Sequence, residues 1–122
     1  MRYICLVYFD PQKLADMTPE QKAALDRDSG DYDKVLDSRG QLVLAEALRS
    51  PKEAMTVQVR DGRMSTTDGP FMETREVLGG FILVEARDLN AAVSIAAGIP
   101  LAKLGSIEVR PIVVWDEPNP KP

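Results

Sequence analysis

The chain contains no histidine. That absence excludes a Ser-His-Asp triad and histidine-mediated proton transfer within one chain. It also removes the usual ligand of a catalytic zinc ion. There is one cysteine, Cys5, so no intrachain disulfide can form, which suits a reducing compartment. Cys5 lies in the apolar run RYICLVYF and lacks a histidine to activate it, so it reads as a small buried hydrophobe. No run approaches the roughly 20 apolar residues of a membrane span, and no signal peptide is evident. No glycine-rich phosphate loop and no calcium-loop spacing occur, and Gly79-Gly80 precedes a strand, the wrong context for a dinucleotide fingerprint. Positive charge is also in deficit. With 15 Lys and Arg against 19 Asp and Glu the net charge is −4. That balance offers no general attraction to nucleic acid or to anionic membrane surfaces. The expectations are a cytoplasmic protein with no metal, no cofactor, no direct nucleic-acid contact and no membrane contact.

What is present fits one α+β domain. The 122 residues carry 44% hydrophobic and 28% charged side chains, enough for a core without staples. Arg2 to Phe9 reads as a buried strand that Asp10-Pro11 ends. Thr18-Pro19-Glu20-Gln21 is a capping box with proline at the first helical position, and the helix runs to Gly40. Its apolar positions are Ala24, Leu25, Tyr32, Val35 and Leu36. Gln41 to Leu48 is a second strand, broken by Ser50-Pro51. Met55 to Arg60 and Arg63 to Thr67 flank Asp61-Gly62, a hairpin turn signal. Gly80 to Ala86 is an apolar strand. Asp88 caps a helix from Leu89 to Ala97, with Leu89, Ala92, Val93 and Ala96 expected inward. Ser106 to Trp115 is the last strand. Residues 1–115 form the expected domain, and 116–122 a loose proline-rich tail.

Without the hairpin the order is βαββαβ, the ferredoxin-like split. Two helices cover one sheet face. An apolar second face needs another cover, for which a second subunit is the commonest solution. A homodimer is therefore expected.

Thr67 to Gly80 is the unusual segment. Asp68-Gly69-Pro70-Phe71 has turn chemistry at each position. Thr74 is the better cap for a short helical turn, Arg75 to Leu78, with Gly79 as its stop; a longer helix from Pro70 is the alternative. Two readings of the segment stand open. It is a structural corner with Phe71 as hydrophobic anchor, or it borders a ligand cavity with Asp68 and Glu73 among its polar groups. Charged residues within strands raise a related question. Glu46 and Glu85 follow apolar runs, and Glu108 and Arg110 share one sheet face. They lie near strand ends or in ion pairs, or Glu46, Glu108, Arg110 and Asp68 converge on a polar cavity. There a carboxylate could act as acid or base and Arg110 could grip an anion. The catalytic candidates are Asp68, Glu46 and Glu108; the ligand-binding candidates are Asp68, Phe71, Glu73 and Arg110. Tyr3 and Tyr8 fall on opposite faces of the first strand, so at most one faces a cavity.

The strings TDGPFMETREVLGGFILVEARDL and PLAKLGSIEVRPI, with MRYICLVYFD and LVLAEAL, resemble the DGPF group of the YCII-related family. The resemblance runs from Met1 to about Val114. It implies a ferredoxin-like fold that dimerises by joining sheets into an α+β barrel. It implies no particular reaction. Related small dimers include isomerases, decarboxylating enzymes and monooxygenases, which is fold-level analogy only. Members are often encoded beside extracytoplasmic-function sigma factors, which implies a regulatory context and a sigma-factor-linked partner. Many YCII-type proteins carry a His-Asp pair for acid–base chemistry; this chain has no histidine, so that mechanism does not transfer. The functional expectation is a small-molecule site near the DGPF loop, with cofactor-free carboxylate chemistry if it is an enzyme. The alternative is a non-catalytic regulatory or interaction protein.

Overall fold

Alternation between apolar and mixed positions makes β1 (Arg2–Phe9) the centre of an antiparallel sheet. Tyr3, Cys5 and Val7 are buried on one side of it, while Ile4, Leu6 and Tyr8 remain half-exposed on the other. The structure, a computed structural model, describes residues 1–118. The remaining elements are α1 (Pro11–Ala15), α2 (Pro19–Ser38), β2 (Leu42–Ala47), β3 (Met55–Arg60), β4 (Arg63–Asp68), β5 (Val77–Glu85), α3 (Leu89–Ala97) and β6 (Ser106–Pro111). The main sheet has the order β2-β5-β1-β6, all pairs antiparallel. Two helices lie against one face of it. This is the α+β, ferredoxin-like arrangement, with β3 and β4 inserted as a separate two-stranded sheet.

The caps act where the sequence places them. The Thr18 hydroxyl accepts from the Gln21 N–H at 3.1 Å, and the Gln21 side chain accepts from the Thr18 N–H at 2.9 Å. Asp88 accepts from the Ala91 N–H at 2.9 Å and starts α3. Gly40 follows α2 with φ +69°, the left-handed conformation that closes many helices. A further short helix, α1, follows Asp10-Pro11. Asp10 caps it by accepting from the Gln12 N–H, so the dipeptide starts a helix as well as ending the strand.

Three local expectations are corrected. Residues 75–78 form no helical turn, and none starts at Pro70: β5 begins at Val77, three residues before the expected Gly80. Val77 and Leu78 pair with Phe9 and Tyr8, and a bulge absorbs Gly79 between Leu78 and Gly80. Any Cβ on Gly79 would collide with the Phe9 ring, so the aromatic side chain occupies the space this glycine leaves. The Thr74 hydroxyl donates to the Glu76 carbonyl instead of capping a helix. On α3 the inward stripe is Ala92, Ile95 and Ala96, while Leu89 and Val93 are about half exposed. Ala92 and Ala96 face inward as expected, and the stripe is centred roughly 55° round the helix from the expected one, towards Ile95. Finally, β6 ends at Pro111 rather than Trp115. The tail expected from 116 is described only to Pro118, and 119–122 lie outside the described residues.

The helix-covered side carries the core, centred on Cys5, Leu36 and Val84, each fully buried. The opposite side has no cover among the described residues. Cross-strand pairing there aligns Glu46, Phe81, Leu6 and Glu108 in one row and Leu44, Leu83, Ile4 and Arg110 in the next. An apolar strip thus runs down the middle of the open face, with charged groups towards the edges.

Candidate functional site

The β3–β4 insertion leaves the sheet after β2 and returns before β5. At its base the Gly69 N–H donates to the Ala54 carbonyl at 2.8 Å, and the Thr56 hydroxyl donates to the Gly69 carbonyl at 2.9 Å. Gly69 has φ +99°, a conformation that side-chain-bearing residues rarely adopt. This clasp turns the chain from Asp68 into Pro70 and Phe71.

Between the two ends of the insertion lies a groove of about 850 Å³. Its walls are Leu48 to Pro51, Glu53 and Ala54 on the outgoing side and Pro70 to Met72 and Thr74 on the returning side, and its floor is Tyr8, Val77 and Leu78. Most of the lining is apolar. Tyr8 supplies a phenol at the floor, while Arg49 and Glu53 form an ion pair at 2.9 Å. The Ser50 hydroxyl is engaged by the Lys52 N–H at 3.2 Å and starts a short 3₁₀ turn over Pro51–Glu53. Beyond the groove, Arg75 reaches Asp10 at 3.7 Å and ties the returning segment to the end of β1.

Of the residues expected at a ligand site, Phe71 lines this groove. Phe71 is 75% exposed, so it is no hydrophobic anchor within its own chain. Asp68 precedes the groove wall at the end of β4, paired in register with Met55. Glu73 is exposed within the returning segment. The chain does not gather Glu46, Glu108, Arg110 and Asp68 into one cavity. Glu46 and Glu108 stand in the same cross-strand row but on the two outermost strands, roughly 14 Å apart at about 4.8 Å per strand. Glu108 and Arg110 approach each other at 3.8 Å, and Glu85 accepts from Arg2 at 2.9 Å, so both read as surface pairs. Their contribution to stability is small. Arg2 and the N-terminal ammonium hold the Glu85 carboxyl below its usual range.

Sequence reasoning left Tyr8 as one of two open choices. The strand alternation resolves it: Tyr3 enters the core and Tyr8 faces the groove. Arg49 and Ser50 were missed as lining residues. Ser50-Pro51 was legible as a strand breaker, but nothing local shows that the breaker faces residues 70–74. The Cys5 thiol is buried, and burial pushes it up to about 11, so it is inert at neutral pH. Among the described residues, no group of three or more His, Cys, Asp or Glu side chains is placed to hold a metal ion. Likewise, no helix of the described residues is long and apolar enough to cross a membrane.

The YCII-related domain matches residues 1–116. The chain belongs to the YCII-related family. An uncharacterised protein of Rhizobium meliloti (strain 1021) is 30% identical over 117 residues, which is 94% of each chain. The family match spans the six strands and three α-helices of the described residues, so the groove and its clasp belong to the YCII-related domain itself.

Proposed function

We propose that this YCII-related protein is a cytoplasmic homodimer that binds a small, largely apolar molecule in the groove beside the DGPF loop. The observation that carries the reading is the groove itself. A concavity of about 850 Å³, mostly apolar and with few polar groups, is the usual form of a small-molecule site. Dimerisation through the open sheet face supports the same reading. Leu6, Phe81, Leu83 and Ile4 form a strip with no cover among the described residues, and pairing it with a second copy removes that surface from water. Two such faces brought together form the α+β barrel. If the protein is an enzyme, a carboxylate carries proton transfer without a cofactor, because the chain offers no imidazole. Glu53 lines the groove wall but is held by Arg49, and Asp68 and Glu73 flank the returning wall in sequence. Glu46, Glu108 and Arg110 lie at the sheet edges, where a partner's face would meet them.

A second reading has its own support. Met55, Val57, Val59 and Met64 leave the inserted hairpin with an exposed apolar side. A non-catalytic regulatory protein, linked to a sigma factor, would use such a surface for its partner. One experiment separates the two. Crystals of protein purified from its native cytoplasm are examined for bound density, and the solution mass is measured by light scattering. A ligand seated among Tyr8, Phe71 and Leu78 in a dimer supports the first reading. An empty groove together with a dimer whose hairpin remains uncovered supports the second. A monomer at micromolar concentration removes the dimer from both.

A further inference from the structure

A second concavity lies on the other side of the sheet, under α2. It is a cleft of about 160 Å³. Its floor exists because the strand positions facing α2 here are small. Ala45 pairs with Ile82 and Ala47 with Gly80, where a core would ordinarily place branched residues. Position 80 cannot take a larger side chain without moving a strand, since a Cβ there would stand 2.7 Å from the Glu46 carbonyl oxygen. The close approach of β2 therefore keeps the floor open.

Above this floor α2 presents Ser29 and Asp33, four residues apart and so one turn apart on one face. Both are half-buried. Among the described residues, Asp33 forms no ion pair, and neither side chain hydrogen-bonds to the protein. Tyr32, between them in the lining, is already committed: its hydroxyl donates to the Ile95 carbonyl at 2.6 Å. Ile99 and Leu101 close the far wall with apolar surface. Glu46 of β2 also lines the cleft, which thus joins an apolar body to the uncompensated Asp33 carboxylate, a second acidic residue and one free hydroxyl. Burial raises the Asp33 carboxyl above its ordinary range, and a bound cation would relieve that cost.

We propose that this cleft is a separate binding site for a small primary amine with a compact apolar body, Asp33 serving as its counter-ion and Ser29 as its second hydrogen-bonding partner. The volume fits a ligand about the size of benzene plus an ammonium group. An ionised carboxylate only accepts hydrogen bonds, and an ammonium group only donates them, so their match is complete. The site does not depend on the groove beside the DGPF loop, which opens on the opposite face of the sheet.

Benzylamine is the probe, titrated into the full chain to about 20 mM at neutral pH while amide NMR shifts are followed. Saturable shifts at Ser29, Asp33, Gly80 and Leu101 are expected. Benzyl alcohol, with the same body and no charge, should bind at least about tenfold more weakly, as should benzylamine to Asp33→Asn. Ala47→Leu, which fills the cleft and leaves the carboxylate in place, should abolish saturable shifts and keeps the test decisive if Asp33→Asn fails to fold. Equal affinity for the alcohol, unchanged binding by either folded variant, or no saturable shift would overturn the proposal. Shifts confined to Tyr8, Phe71 and Leu78 would overturn it too, while supporting the groove.

Discussion

Tyr32 and Ile95, 63 residues apart, are joined by a hydrogen bond of 2.6 Å from the tyrosine hydroxyl to the isoleucine carbonyl. This bond ties the middle of α2 to the last turn of α3. It also explains Gly98, because any Cβ there would collide with the Tyr32 hydroxyl. Tyr32→Phe should cost about 1 kcal/mol, the usual worth of such a bond. Gly98→Ala should cost about 1–3 kcal/mol through overpacking. The double variant should lose less than the sum, because the phenylalanine ring no longer carries the atom with which the new methyl clashes. Urea denaturation of the four proteins measures the coupling, and strict additivity would show that the two sites act independently.

Cys5 predicts a loss of stability in alkali. Its thiol ionises at about 11 in the folded chain against an ordinary 9.0. The folded state therefore holds its proton longer, and the stabilisation of the neutral thiol is lost as pH rises from 9 towards 11. The full effect is about 2–3 kcal/mol at 1.36 kcal/mol per pKa unit. Cys5→Ala should be less stable than the natural chain at pH 7, and the gap should close between pH 9 and 11. Thermal melts of both proteins across that range check it; a constant gap would count against the buried thiol as the cause.

Asp88 predicts the opposite trend in acid. Its bond from the Ala91 N–H is the main cause that holds its carboxyl below the ordinary 3.8, with a smaller contribution from Arg87. Its support of α3 is present above pH 3.8 and disappears as pH falls through the lower folded value. Asp88→Ala should lower the melting temperature at pH 7 by about 5 °C, the scale of a lost helix cap. Once the pH falls below that lowered folded value the two proteins should converge, as melts in acid buffer would reveal.

The clasp at Gly69 separates backbone need from side-chain need. Gly69→Ala places a side chain at φ +99° and should destabilise the chain by about 1–2 kcal/mol. Asp68→Ala removes a side chain that makes no hydrogen bond or ion pair among the described residues, and should change stability by less than about 0.5 kcal/mol. If Asp68→Ala remains folded but loses a groove ligand, Asp68 serves the site. Global unfolding would show that it holds the corner instead.

Phe81 tests the dimer. It sits in the central row of the open face, beside Leu6. Phe81→Arg should leave the helix-side core intact and convert a dimer into a monomer, read by sedimentation at micromolar concentration. A dimer that survives the charge would place the interface elsewhere.

The sequence was most legible where one residue carries a local rule. Thr18 with Gln21, Asp88 and Asp61-Gly62 each marked a boundary, because capping and turn chemistry depend on immediate neighbours. The βαββαβ order followed from those boundaries. The bulge at Gly79 was not legible, since it depends on the Phe9 ring crossing from another strand. Of the groove, the DGPF side was visible as turn chemistry, whereas Leu48 to Ala54 was not. Their meeting is a long-range event fixed by the clasp between Ala54 and Gly69. Convergence of Glu46, Glu108 and Arg110 failed for a related reason. Alternation assigns a face to each residue but says nothing about the order of the strands.

The hairpin turn at Asp61-Gly62 divides the chain into two nearly equal lengths. The first contributes β1 and β2 to the sheet, and the second contributes β5 and β6. In the order β2-β5-β1-β6 the two lengths alternate, so neither piece contains a pair of neighbouring strands. A cut in the exposed turn therefore gives two fragments that cannot build any part of the main sheet alone. Each supplies the hydrogen-bonding edges that the other lacks, which makes the chain a natural candidate for fragment complementation.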